Sequence, residues 1–154
     1  MKIKDIFDKE EFEQYISAAI NLRNEQKGRL NEMLEIKYID SDMEKQEVNF
    51  EFPVYEWELN PFDILHGGIS AAMLDYAMGL AANCICRKLG GFFSPTVNMT
   101  VNYLAAFPKE SKADITVRMI SEGKSLLTFW GELRSKETGA LSVTASATYK
   151  VLRK

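Results

Sequence analysis

Residues 64–86 read ILHGGISAAMLDYAMGLAANCIC, and this stretch decides the architecture. It is almost wholly apolar and long enough to span a bilayer. Yet it holds His66, Gly67, Gly68, Asp75, Gly79 and Asn83. An Asp near the middle of a span costs about 2.5–3.5 kcal/mol on insertion scales. The expected form is therefore a helix buried inside soluble protein, with no membrane partner. It runs from the glycine pair to about Leu89, where Gly90-Gly91 ends it. A helix that is apolar all round must be covered on most sides.

The chain on either side supplies the cover. Downstream, Val97, Met99, Val101 and Tyr103 alternate with Thr96, Asn98, Thr100 and Asn102, and Ile115, Val117 and Met119 alternate with Asp114, Thr116 and Arg118. Glu122-Gly123-Lys124-Ser125 predicts a tight connection to Leu127, Phe129 and Leu133. Lys136-Glu137-Thr138-Gly139 predicts another, leading to Val143, Ala145, Ala147, Tyr149 and Val151. Period-two runs joined by short connections read as antiparallel neighbours.

Upstream, Leu34, Ile36 and Tyr38 alternate, then Val48, Phe50 and Phe52 until Pro53, then Tyr55, Trp57 and Leu59. Asn60-Pro61-Phe62-Asp63 is a turn signal. From about Asp8 to Asn31 the spacing predicts a helix, with Phe12, Ile16, Ala19, Ile20 and Arg23 on one side, packed on the outside. The expected class is α+β: a curved antiparallel sheet wrapped around a long central helix, with an extra N-terminal helix. One domain, 1–154, comprises a helical extension (1–31) and a core (34–151).

The 154 residues suit a single core, with 46% hydrophobic and 27% charged residues. Nineteen Lys+Arg against 22 Asp+Glu give a net charge of -3 without a basic block, so no nucleic acid is expected. Cys84 and Cys86 are too few for a disulfide framework and have no zinc spacing; they read as packing residues. The start, Met1-Lys2-Ile3-Lys4-Asp5, lacks the apolar run of a signal peptide, so a cytoplasmic location is expected.

Asp75 is the only full charge between Asp63 and Arg87. A carboxylate in so apolar a helix is costly unless it is hydrogen-bonded or paired. Its one-turn neighbours, Ala71, Ala72, Met78 and Gly79, are small or apolar and describe a pocket wall better than a solvated stripe. Gly67 and Gly68 stand where a helix start leaves backbone N–H groups unpaired, able to bind an anion or developing oxyanion. His66, the only histidine, suits fixing this turn better than general-base duty. Ser70 lies nearby, but no Gly-x-Ser-x-Gly elbow accompanies it.

The string from Asn60 to His66-Gly67-Gly68, followed by Asp75, resembles the thioesterase superfamily of hotdog proteins. The likeness is to the branch named for phenylacetate-degradation (PaaI-like) thioesterases, and it covers roughly residues 34–151. The stretch from Pro95 to Leu104 resembles that branch's first long strand after the helix. The resemblance implies acyl-CoA thioester hydrolysis with no separate cofactor and no metal, coenzyme A being part of the substrate. Asp75 would act as general base or nucleophile, and the Gly67 N–H would polarise the carbonyl, with Gly68 shaping the turn. Asn60 would hold the attacking water or the turn around His66, and Thr96 would hydrogen-bond near the water. A homodimer or homotetramer with sites at the dimer interface is implied. Arg87, Lys88, Lys109 and Lys124 are candidates to meet the coenzyme A phosphates. Phe92, Phe93, Trp57, Met78 and Tyr103 suit either an acyl pocket or the core, and core is the expectation for most. The competing class is a non-catalytic acyl-CoA binding module.

Geometry also argues for a shared site. Gly67 and Asp75 are 75 − 67 = 8 residues apart, or about 12 Å along one helix axis. Two antiparallel helices of a symmetric dimer can bring the start of one to the middle of the other.

Overall fold

The protein is described by a computed structural model covering residues 2–121 and 123–154. Glu122 of the expected 122–125 connection lies outside the described residues.

Helices α1 (Lys9–Asn24) and α2 (Leu30–Met33) precede strands β1 (Lys37–Asp42) and β2 (Glu47–Phe52). Helix α3 (Gly67–Lys88) follows, then β3 (Thr96–Tyr103), β4 (Ala113–Met119), β5 (Leu126–Ser135) and β6 (Leu141–Lys150). The strands form one antiparallel sheet in the order β1-β2-β4-β5-β6-β3. Helix α3 packs along the sheet's concave side and touches β2 to β6. Its Met73, Leu74, Ala77, Met78 and Leu80 are buried against Ile115, Val117, Leu127, Phe129 and Leu133 from the inward positions of β4 and β5. The helix is long and apolar enough to cross a membrane, but its most apolar window is 67% buried inside the domain. That is the enclosed core helix expected.

Helix α1 lies outside, as its half-apolar face predicts. Asp8 caps it by accepting from the Glu11 N–H at 2.8 Å, and Phe12, Ile16 and Ile20 are buried between α3 and β1. It stops at Asn24, about two turns before the expected end. The chain turns at Gly28, whose φ of +76° suits glycine far better than other residues.

Two expected strand segments are not strands. Leu34 and Ile36 are buried, but they lie between α2 and β1, and alternation there reflects burial without a ladder. Tyr55, Trp57 and Leu59 fall in and beside a 3₁₀ turn over Glu56–Glu58. Pro53 can donate no ladder hydrogen bond after β2, and Trp57 is 46% exposed. Of the two or three strands expected before α3, two form. Strand β3 matches its expected span but sits at the sheet's edge, where Val97 and Tyr103 are 59% and 58% exposed.

Candidate active site

Asp75 projects from the third turn of α3 to the junction of β3 and β6. Thr96 opens β3 and is the register partner of Tyr149 on β6. That pairing brings two hydroxyls to one carboxylate. Thr96 Oγ1 donates to Asp75 Oδ1 at 2.8 Å and Tyr149 OH donates to the same oxygen at 2.9 Å. The phenol also lies 3.1 Å from the Asp75 carbonyl. Burial pushes the Tyr149 phenol far above its ordinary titration range, and Asp75's charge adds to this, so Tyr149 keeps its proton and serves as a fixed hydrogen-bond donor. Oδ2 of Asp75 has no partner among the described residues. Asp75, Thr96 and Tyr149 line a cleft of about 450 Å³.

The start of α3 forms a second group. His66 caps the helix, its Nδ1 accepting from the Gly68 N–H at 2.9 Å while its own backbone N–H donates to the Glu58 carbonyl at 2.8 Å. Gly68 is thereby committed to the turn, and His66 is held in the turn-fixing role read from the sequence. Asn60 Oδ1 accepts from the Phe62 and Ile64 N–H groups at 2.9 and 3.4 Å, so its carbonyl end organises the preceding loop. The Gly67 N–H has no partner among the described residues. The Gly67 carbonyl accepts from Ser70 Oγ at 2.8 Å and Tyr103 OH at 3.0 Å. A Cβ on Gly67 would lie 3.1 Å from the Tyr103 ring, so any side chain there requires the ring to shift by a few tenths of an ångström.

Asn60, Gly67, Ser70 and Tyr103 line a cleft of about 400 Å³ that shares no residue with the Asp75 cleft. One chain therefore gathers Asp75 with Thr96, and Asn60 with Gly67, but leaves the two groups apart. Among the described residues no cluster of three His, Cys, Asp or Glu side chains is placed to hold a metal ion.

The remaining candidates divide. Lys88 is paired with Glu11 and sits 4.9 Å above the Phe7 ring, fastening α1 to α3. Lys109 pairs with Asp63 at 3.1 Å, while Lys124 is exposed and Arg87 borders a cleft beside α1. Of the five apolar candidates only Met78 is core. Phe93 borders the Asp75 cleft, Tyr103 the Gly67 cleft, and Phe92 the cleft beside α1. The expectation of core for most is thus corrected: sheet-edge and loop positions leave these aromatics without a covering layer. Cys84 and Cys86 are free, buried packing residues.

Sequence reasoning missed three polar groups: Tyr149, hidden among the inward residues of β6; Arg23, on the wall of the Asp75 cleft; and Glu58. Glu58 is fully buried behind the Asn60–His66 loop, with Oε2 accepting from the Tyr55 N–H at 2.8 Å and Oε1 unpartnered. Burial pushes its carboxyl up to about 7, against the pull of the Tyr55 N–H and helped by the charge of Glu35. The unfolded chain ionises Glu58 near about 4.3. Between there and about 7 the folded state holds the extra proton, so stability falls as pH rises. Relative to Glu58→Gln, the wild type should lose on the order of 1–3 kcal/mol between pH 5 and pH 8. Urea unfolding of both proteins at both pH values measures this; an unchanged difference would show that Glu58 ionises freely in the fold.

The sequence matches the family model described as Thioesterase superfamily over residues 62–142. Acyl-coenzyme A thioesterase 13 of Mus musculus is 30% identical over 91 residues, covering 59% of this chain and 63% of that protein, under two thirds of its length. The structure of the E. coli PaaI protein from the phenylacetic acid degradation operon aligns with a TM-score of 0.71 at 15% identity, covering 89% of this chain and 94% of that one. That of smu.793 from Streptococcus mutans UA159, bound to acetyl CoA, aligns with a TM-score of 0.65 at 20% identity, covering 78% and 92%. At these identities the solved structures establish the shared fold, a helix wrapped by a curved sheet.

Proposed function

The chain belongs to the thioesterase superfamily, and from that premise we propose that it hydrolyses acyl-coenzyme A thioesters with Asp75 as its catalytic carboxylate. The observation that carries this is the setting of Asp75: one oxygen fixed by Thr96 and Tyr149 at the edge of a cleft, the other unpartnered among the described residues. As general base, Asp75 takes a proton from water while the water oxygen bonds to the thioester carbon. The resulting oxyanion accepts from a Gly67 N–H at the helix start, aided by the helix dipole. Collapse breaks the carbon–sulfur bond, and the proton returns from Asp75 to the thiolate. As nucleophile, Asp75 would instead form an acyl anhydride that water cleaves. Asn60 and Thr96 would then position the water, with His66 and Gly68 holding the turn.

Strand β3 supports a shared site. It is an edge strand with side chains exposed on both faces, which is an aggregation liability unless another strand covers it. Isologous pairing through this edge would cover it and bring the Gly67 half-site of one protomer to the Asp75 half-site of the other. Two such dimers could associate as a tetramer. The names of the mouse relative and of the acetyl-CoA-bound structure support coenzyme A as the thiol part of the substrate.

The second reading is a module that binds acyl-CoA without turning it over. The unpartnered carboxylate oxygen argues against it, because binding a neutral carbonyl gains nothing from a negative charge beside it. Purified protein incubated with aryl- and fatty acyl-CoAs should release free thiol. Tight binding with no release across a broad panel would establish the binding module instead.

A further inference from the structure

A cationic side chain stands on the wall of the Asp75 cleft. Arg23 reaches it from α1, half-buried, with NH1 donating to the Ala19 carbonyl at 2.9 Å. Among the described residues no carboxylate lies within ion-pair distance of Arg23. Tyr76 and Ser94 line the same cleft. They are only 6% and 2% exposed, and both hydroxyl oxygens are without hydrogen-bond partners. Buried hydroxyls without acceptors are costly and rare, but both oxygens are sealed from solvent, so Arg23 is the donor that remains to meet a ligand in the cleft. Asn83 is not such a group. Its amide is spent on the Gly79 and Ser94 carbonyls at 2.8 and 3.2 Å, and its Oδ1 on the Ser94 N–H at 2.9 Å. Arg23's charge acts on the Tyr76 phenol, pulling against the rise that burial imposes.

We propose that the Asp75 cleft selects acyl groups ending in a carboxylate, with Arg23 recognising the distal charge. This rests on the hydrolase reading above and deepens it. The guanidinium offers donors with no carboxylate within ion-pair distance among the described residues, and a carboxylate ligand presents about four acceptor positions. The reacting carbonyl sits at Asp75. Gly79 and Asn83, both on the cleft wall, lie one and two turns further along α3, about 6 and 12 Å away. The fitting substrate is therefore a thioester of a short to medium dicarboxylic acid. The walls between, Leu80, Pro95 and Phe93, are apolar and suit its methylene chain. A neutral long chain would have to pass Arg23, which also borders the adjoining cleft of about 700 Å³ beside α1.

The test compares kcat/KM for succinyl-, glutaryl- and adipyl-CoA with butyryl-, hexanoyl- and lauroyl-CoA. Adipyl-CoA is expected to exceed hexanoyl-CoA by about 10-fold or more, from charge-assisted bonds to the distal end. Arg23→Met should lower the adipyl-to-hexanoyl ratio by about 10- to 100-fold, and Arg23→Lys should restore part of it. Wild-type preference for hexanoyl- or lauroyl-CoA, or a ratio indifferent to Arg23→Met, overturns the proposal. Calorimetric binding of adipyl-CoA and hexanoyl-CoA separates it from the hydrolase reading. If no acyl-CoA is turned over, hydrolysis falls. Tighter, Arg23-dependent binding of adipyl-CoA would then still uphold the selectivity, and equal binding would overturn it.

Discussion

Asp75→Asn is expected to lower kcat by about 10²–10⁴-fold, the usual contribution of a positioned acid–base group. The substitution is a clean one in this setting. Thr96 and Tyr149 both donate to Oδ1, and an Asn carbonyl oxygen can accept both bonds in the same place. The fold should therefore survive, with a thermal midpoint close to wild type and substrate binding at least as tight. What disappears is negative charge and basicity on the oxygen left unpartnered. Steady-state turnover on the best acyl-CoA, with calorimetric binding to the same variant, reads the effect. Near-normal turnover would make Asp75 a structural residue that merely anchors β3 and β6 to α3. Single turnover of wild-type enzyme in ¹⁸O-water divides the two chemical roles. Label entering the Asp75 carboxylate marks attack by Asp75 itself, and label only in the released acid, with no acyl-enzyme trapped, marks a water activated by it.

How much of this was legible in the sequence depended on what each signal reports. Alternation reports burial on one side, and it located β3 to β6 well because those strands carry both alternation and ladders. It misled at Leu34–Ile36 and Tyr55–Leu59, where side chains alternate in burial or in type without a ladder. The central helix was legible because an apolar stretch carrying one carboxylate has few soluble solutions, and the His66-Gly67-Gly68 turn because a cap and glycines announce a helix start. Tyr149 was not legible as a site residue. It alternates as a core aromatic, and only its register opposite Thr96 reveals that its hydroxyl meets Asp75. Arg23 was hidden for a different reason. It lies on the buried face of α1, outside the 34–151 stretch that carried the family resemblance, and its proximity to the Asp75 cleft depends on how α1 docks on α3.

Complementation between two inactive variants should restore about a quarter of wild-type sites. Gly67→Val supplies the second variant beside Asp75→Asn. Its side chain enters space held by the Tyr103 ring, only 3.1 Å from a Cβ at this position, and crowds the helix-start N–H that would face the carbonyl. Each homodimer then lacks one essential group at both sites. In a heterodimer with isologous pairing, one site combines both defects, and the other combines the intact Asp75 of one protomer with the intact Gly67 of its partner. Random mixing of equal amounts makes about half the dimers mixed, each with one good site of two, hence about a quarter. The separate clefts of Asn60–Gly67 and Asp75–Thr96 within one chain make this outcome the expected one. Subunit exchange is followed independently with differently tagged chains, and the oligomer by light scattering. Exchange without recovered turnover would place Gly67 and Asp75 in one site of one chain. Their eight-residue separation along α3 would then have to be bridged by the substrate rather than by a second protomer.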